Sequence, residues 1–178
     1  ALPGADPVHK VSIVARGRAA GYTLKLPIED RHLYSKSHFL DEIAVALGGY
    51  AAEKIVFKEI TTGASNDLKI ATDIARALVT KYGMSEKVGP MTLGERDELV
   101  FLGKELNVEK NYSETIATLI DQEVSKFIKD AFKRAKTLIE KNRSFLDALA
   151  NHLIEKETIE RDEFNNLAQS FGLKSKPV

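Results

Sequence analysis

The sequence predicts a mainly α-helical fold with a small N-terminal β element and a long C-terminal helical packing region. Apolar residues recur at spacings of three and four from Ser37 onward, which is the period of an amphipathic helix. Strand-like alternation is confined to the first thirty residues, at positions 11–15 and 22–26. Because two short strands are not stable alone, we expect them to pack against the helices.

We expect one domain over the 178 residues, which is an ordinary length for a single domain. It divides into a strand-rich edge segment (1–36) and a helical part (37–83). An irregular loop (84–112) and a C-terminal helical region (113–172) follow.

Capping residues and glycines place the helix boundaries. Gly48-Gly49 interrupts the first helical pattern, which resumes as far as Phe57. Ser65 is the predicted N-cap of a helix over 66–82, and Gly83 is its predicted stop.

The C-terminal region predicts three further helices. Ser113 is the predicted cap of a long helix that reaches Asn142 and carries a continuous apolar stripe. Shorter helices are expected over 145–155 and 161–171, the second followed by Gly172. The tail beyond Gly172 is expected to be frayed.

Composition excludes several classes of function. Lys and Arg total 26 and Asp and Glu total 26, so the chain lacks the basic excess of a nucleic-acid binder. The absence of cysteine excludes disulfides, cysteine-type zinc sites and cysteine nucleophiles. No apolar run approaches the roughly 20 residues of a membrane helix. No two of the four histidines are spaced i,i+4, so no helix here presents a pair of imidazoles to one metal.

Asp67 is the one charged residue in an unexpected position. On a helical wheel of 66–82 it lies at the edge of an apolar stripe, beside Ala71 and Ile74. The full stripe consists of Leu68, Ala71, Ile74, Ala75, Leu78 and Tyr82. An ionised carboxylate there is a candidate metal ligand. The alternative is a first-turn aspartate that stabilises its helix through the macrodipole.

Two further features carry weaker signals. Glu53 follows Ala51-Ala52 in a mainly apolar helix and is a candidate for an acceptor that orients a metal ligand, or else is a plain surface residue. Gly21, before Tyr22, Thr23 and Leu24, would let a backbone approach a strand edge closely, or marks a hairpin bend.

Several blocks of the sequence resemble the peptidase domain of the FtsH-like, membrane-anchored, ATP-dependent zinc metalloproteases. Two of them are Gly48-Gly49-Tyr50-Ala51-Ala52-Glu53 and Thr62-Gly63-Ala64-Ser65-Asn66-Asp67-Leu68, and together the blocks are highly specific. The others lie, in the family's order, at 6–13, 16–23, 84–90, 101–103, 120–124 and 157–159. The resemblance covers nearly the whole chain.

The resemblance implies a zinc metalloendopeptidase in which Asp67 is the third zinc ligand. The other two ligands and the general base belong to a His-Glu-x-x-His helix that the family carries just upstream of the segment matching Asp6 to His9, so they are expected outside these residues. A fragment without them would be inactive alone. The strand from Gly21 to Leu24 is similar to the family's substrate-binding edge strand.

The resemblance also implies partners and a location. The parent protein is expected to form a homo-hexamer and to degrade unfolded and membrane proteins as part of protein quality control. ATP and magnesium would act through an ATPase module, and the membrane contact would be made through an anchor, both outside this chain. The domain would face the cytoplasm or an organelle interior. The alternative is a non-catalytic helical oligomerisation module, which would have no need of an acid on an apolar face.

Overall fold

A computed structural model describes residues 1–15, 21–25, 33–94 and 112–173. Within these residues the chain forms six α-helices and three short strands, which confirms the mainly helical prediction. It divides into two compact units, residues 1–34 with 136–178 and residues 35–135, which are described separately. The expected single domain stays a prediction.

A three-stranded antiparallel sheet lies in the first unit. Its strands are β1 (Val8–Ser12), β2 (Tyr22–Lys25) and β3 (Thr158–Glu160), in the order β2-β1-β3. The register pairs Ser12 with both Tyr22 and Thr158. The first strand begins and ends earlier than its alternating sequence predicts. The third was not predicted, because three residues are too few to show a period.

Helices complete the first unit. They are α5 (Arg143–Lys156) and α6 (Arg161–Ser170), near the boundaries predicted for them. Glu157 adopts a left-handed conformation, with φ of 60°, where α5 turns into β3. Ile159 is fully buried, so the short strand β3 contributes a core residue.

The second unit contains α1 (Lys36–Ala46), α2 (Gly48–Val56), α3 (Ser65–Thr80) and the first part of α4 (Glu114–Lys141). The predicted interruption at Gly48-Gly49 is a break between α1 and α2 at Leu47, which closes one helix and opens the next. At its 28 residues, α4 is about 42 Å long at ~1.5 Å per residue. None of the described helices combines the length and apolar character that a membrane span requires.

Local signals explain most of these boundaries. The Ser35 hydroxyl accepts from His38 N–H at 3.2 Å at the start of α1, and the Ser113 hydroxyl accepts from Ile116 N–H at 3.4 Å at the start of α4. Gly83 follows α3 with φ of 59°, and Gly172 follows α6 with φ of 74°. Three of these four residues are the predicted caps and stops, which confirms those predictions.

The core of the second unit forms where α1 packs on α3. Small alanines on α3 let the two helices approach closely, and larger side chains fill the remaining space. The side chains with an exposed fraction of 1% or less are Ile43, Leu47, Ala51, Ala71, Ala75, Leu78, Val79 and Ile120. This packing fixes the position of α3, which carries Asp67.

Residues 84–94, the described part of the expected irregular loop, contain neither helix nor strand. The rest of that loop, at 95–111, lies outside the described residues. So do the connection at 16–20, the predicted strand end at Leu26, His32 and the tail from Lys174.

Candidate metal centre

Asp67 reaches its position through a short connection between α2 and α3. Lys58, just past α2, has φ of 57°, and a 3-10 turn (Thr62–Ala64) then runs directly into α3. Ser65 is the first residue of that helix and not its cap, so the cap prediction is wrong. The residue that caps with its side chain is Thr61, at the start of the 3-10 turn, where its hydroxyl accepts from Gly63 N–H at 3.1 Å.

Asp67 is half-buried in the first turn of α3, as the wheel predicted. A methyl group placed on Gly49, in the first turn of α2, would lie 3.7 Å from its Oδ2 atom. The carboxylate therefore lies beside the N-terminal turns of two helices, whose partial positive charge favours an anion. Within the described part of the chain its oxygens take part in no hydrogen bond or ion pair, so both are available to a ligand.

The stripe predicted around Asp67 is only partly correct. Ala71, Ala75 and Leu78 are buried, but Leu68 and Tyr82 are 36% and 43% exposed. Tyr82 instead stacks on Phe39 of α1, with ring centroids 5.2 Å apart. The buried face is shifted toward Val79, which the wheel did not include, because α1 meets α3 from that side.

Glu53 lies on α2 and anchors the connection that leads to Asp67. Thr61 donates its N–H to Oε2 of Glu53 at 3.0 Å and its hydroxyl to Oε1 at 3.1 Å. Among the described residues Glu53 bonds to Thr61 and makes no bond to Asp67. Any effect of Glu53 on the aspartate therefore passes through the connecting segment.

The segment from Gly21 to Leu24 lies at an edge of the sheet. β2 pairs with β1 on one side, and no described strand pairs with its other side. Thr23 and Leu24 are exposed, whereas Gly21 and Tyr22 are half-buried. A methyl group on Gly21 would lie 2.6 Å from the backbone oxygen of Ser12, so glycine permits this close approach.

The described histidines have structural surroundings. His38 is buried on α1, with its Nε2 atom 3.5 Å from a Glu42 oxygen, and His152 lies 2.7 Å from Oε1 of Glu163. Within residues 1–15, 21–25, 33–94 and 112–173, no three His, Cys, Asp or Glu side chains come together as a metal site. The described residues thus bring one suitable carboxylate, Asp67, and not a full set of ligands.

Sequence reasoning did not identify the roles of Thr61 and Gly49. Thr61 is the partner of Glu53, and Gly49 leaves space beside Asp67. The spacing of Thr61, Gly63 and Ser65 could have indicated a hydrogen-bonded turn. Nothing in the sequence pairs Gly49 with Asp67, because that contact depends on how α2 meets α3.

The described residues supply one half-buried carboxylate without a described partner, and comparison with known proteins gives the class of the domain. The model of peptidase family M41 matches residues 1–167. The chain belongs to this family.

Named relatives carry the comparison further. The chain is 51% identical over 166 residues to ATP-dependent zinc metalloprotease FtsH 1 of Sphaerobacter thermophilus, covering 93% of the chain and 25% of the relative. It is 52% identical over 169 residues to FtsH 3 of Petrotoga mobilis, covering 94% and 26%. It is 46% identical over 176 residues to FtsH of Rubrobacter xylanophilus, covering 99% and 27%. The chain thus spans about a quarter of the length of these relatives.

Proposed function

We propose that this chain is the peptidase domain of an ATP-dependent zinc metalloendopeptidase and that Asp67 is one of its zinc ligands. The observation that carries the proposal is the Asp67 carboxylate, half-buried beside two helix N-termini and without a hydrogen-bond or ion-pair partner in the described part of the chain. The names of the relatives, all zinc metalloproteases, support the choice of metal.

Asp67 fits zinc chemically. Carboxylate oxygens bind zinc at about 2.0–2.2 Å, and a catalytic zinc commonly has three protein ligands and one open position. The resemblance supplies the remaining ligands from a His-Glu-x-x-His helix, together with the glutamate that acts as general base. When bound, zinc would polarise the scissile carbonyl and lower the pKa of its water toward about 7.

The residues of this chain would then have distinct tasks. Asp67 contributes a negative charge and an oxygen on a rigid helix. Glu53 is proposed as a positioning residue, since its bonds to Thr61 hold the segment from which α3 starts. Positioning of this kind keeps a ligand oxygen within reach of its metal before the metal binds.

The free edge of β2 is proposed to bind the substrate. An extended polypeptide added to a sheet edge is held mainly by backbone hydrogen bonds, which do not depend on its sequence. Such a mode suits unfolded and membrane proteins, which present extended segments of many sequences. Delivery by an ATPase module of the same protein agrees with the ATP dependence in the relatives' names.

The parent protein is proposed to be a membrane-anchored homo-hexamer, with this domain facing the cytoplasm or an organelle interior. The resemblance to the FtsH-like family supports this arrangement. A non-catalytic oligomerisation module is the weaker candidate, because a scaffold has no use for a partially buried carboxylate that no described cation neutralises.

Substitution of Asp67 in the full-length protein tests the proposed function. Asp67→Asn keeps the shape of the side chain and removes its charge, so bound zinc should be lost. Casein proteolysis should fall by more than about a hundredfold, which exceeds the usual effect of removing a residue that only orients a metal ligand. ATP hydrolysis should persist, because it belongs to another module.

Asp73→Asn is the matched control, since Asp73 is exposed on the same helix. It should leave zinc content and proteolysis unchanged. Full zinc content and full proteolysis in Asp67→Asn would reduce Asp67 to a residue that stabilises its helix and would remove the proposed site.

A further inference from the structure

We propose that Gly49 is a positioning residue that keeps open the space in which Asp67 meets its metal. The inference rests on the proposed role of Asp67 as a zinc ligand. It assigns a function to a residue of α2 that provides no side-chain atom to the site. The proposal also places the metal on the side of Asp67 that faces the first turn of α2.

The geometry distinguishes Gly49 from its neighbour. Among the described residues, a methyl group on Gly49 would have one neighbour within 4 Å outside its own helix backbone, the Oδ2 atom of Asp67 at 3.7 Å. A methyl group on Gly48 would have none in the same part of the chain. The space that Gly49 leaves is therefore bordered by the carboxylate, and the space at Gly48 is open.

Backbone conformation does not require glycine at either position. Neither residue has a positive φ, and both lie within α2. Alanine is the better helix former, by up to about 1 kcal/mol at an interior position and by less in the first turn, where Gly49 lies. Glycine at Gly49 thus does not strengthen its own helix, and residues that act against local stability are expected at functional sites.

A side chain at this position would act directly on the ligand oxygen. A zinc ion about 2 Å from a carboxylate oxygen, with the water that it carries, needs the space within a few ångströms of that oxygen. A methyl group 3.7 Å away would be in ordinary van der Waals contact with the oxygen, so on that side it would fill the volume that a metal ion and its water need. Because no described residue holds the carboxylate by a hydrogen bond, it can turn away from the added group.

Two matched pairs of variants in the full-length protein test the inference. Gly49→Ala should lower zinc affinity by about tenfold, and Gly49→Val should lower it further. Tenfold is the lower end of the usual effect of changing a residue that orients a metal ligand without binding the metal. Gly48→Ala and Gly48→Val should leave it within about twofold of the wild type. Zinc affinity is measured by competition with a chelator, and the visible absorption of the cobalt-substituted protein reports the ligand geometry.

Thermal unfolding separates this effect from a loss of structure. Both alanine variants should unfold at or above the wild-type temperature, since alanine favours the helix. If Gly49→Val fails to fold, Gly49→Ala decides. Equal zinc affinity and equal cobalt spectra in the Gly49→Ala and Gly48→Ala proteins would overturn the inference.

Asp67→Asn, measured in parallel, separates the two proposals. Retention of zinc in Asp67→Asn would remove the proposed site and the inference with it. Loss of zinc in Asp67→Asn, together with unchanged affinity in both Gly49 variants, would leave the site standing and remove the role of Gly49.

Discussion

Three carboxylates of the second unit, two buried and one half-buried, differ in the partners that neutralise them. Asp41, 3% exposed, pairs with Arg134 of α4. Glu123, also 3% exposed, accepts from the Ser85 hydroxyl at 2.8 Å and lies 3.7 Å from Lys87 Nζ. Burying a charge is unfavourable unless it is paired or hydrogen-bonded, and these two follow that rule. Asp67, which is half-buried, has no such partner among the described residues, so its oxygens are available to the proposed zinc ion.

Gly21 is the residue on which the edge strand most directly depends. Replacement by alanine would place a methyl group 2.6 Å from the backbone oxygen of Ser12, so β1 and β2 must move apart. We expect a loss of about 1–3 kcal/mol, as for other overpacked positions. Amide hydrogen exchange should show faster exchange in β1 and β2. In the full-length protein the KM for an unfolded substrate should rise.

Gly48→Ala provides the comparison for this experiment, because the added methyl group has no described neighbour within 4 Å. Its amide exchange in the sheet should match the wild type. Unchanged protection in Gly21→Ala would show that the strand tolerates the side chain and that the close approach has no structural role.

At the residue scale, the sequence predicts those features that depend on one helix alone. The period of α3 places a charge at the edge of an apolar stripe, and this is enough to single out Asp67. The bond between Glu53 and Thr61 and the space at Gly49 depend on how separate segments meet. Such contacts leave no periodic trace in the sequence, so they could not be predicted.

At the scale of helices and strands, the sequence predicts a boundary correctly where a local capping or turn residue marks it. Ser113, Gly83 and Gly172 act through their own backbone neighbours, and each was predicted. β3 was missed because its three residues are ordered by pairing with β1, a partner almost 150 positions away. The Ser65 cap was wrong because a 3-10 turn, which has no strong sequence signature, enters α3 directly.

The contact between α5 and α6 should depend on pH through Glu163. Hydrogen bonds from Lys156 and then from His152 lower the pKa of this carboxyl below its usual range. A carboxylate whose folded pKa is below its unfolded pKa stabilises the fold above the unfolded value, about 4.3, and this stabilisation is lost as the pH falls through the folded pKa. The effect should be small, because these side chains are partly exposed.

Thermal unfolding of the wild type and Glu163→Gln at several pH values measures this contribution. The wild type should be more stable near pH 7, and the two proteins should converge in acid below the usual pKa of glutamate. Asp162→Asn is the control, because Asp162 is also in the first turn of α6 and has no described partner. A difference between wild type and Glu163→Gln that persists unchanged in acid would contradict the assignment.

At the scale of the whole molecule, the apolar stripe of α4 does not by itself require a second copy of the chain. An apolar stripe of this length would favour a ring-forming assembly if its residues faced away from their own chain. Within the described residues, however, its central members are already buried inside the chain, with exposed fractions of 7% or less. They are Ile120, Val124, Phe127, Ala131 and Ala135. The proposed hexamer therefore needs a different surface, and it rests on the resemblance to the FtsH-like family.

This distinction predicts how α4 variants of the full-length protein behave. Phe127→Ala should lower the free energy of unfolding by about 3–5 kcal/mol, the usual result of removing a buried phenylalanine. The folded fraction should still sediment as a hexamer-sized species, because Phe127 faces the core of its own chain.

Ile154→Ala is the control, at a position on α5 that is 71% exposed, and it should change the free energy of unfolding by no more than about 0.5 kcal/mol. A strictly monomeric wild type at high concentration would remove the proposed hexamer. If the Phe127→Ala hexamer dissociated while its free energy of unfolding stayed unchanged, the apolar stripe of α4 would instead be part of the subunit interface.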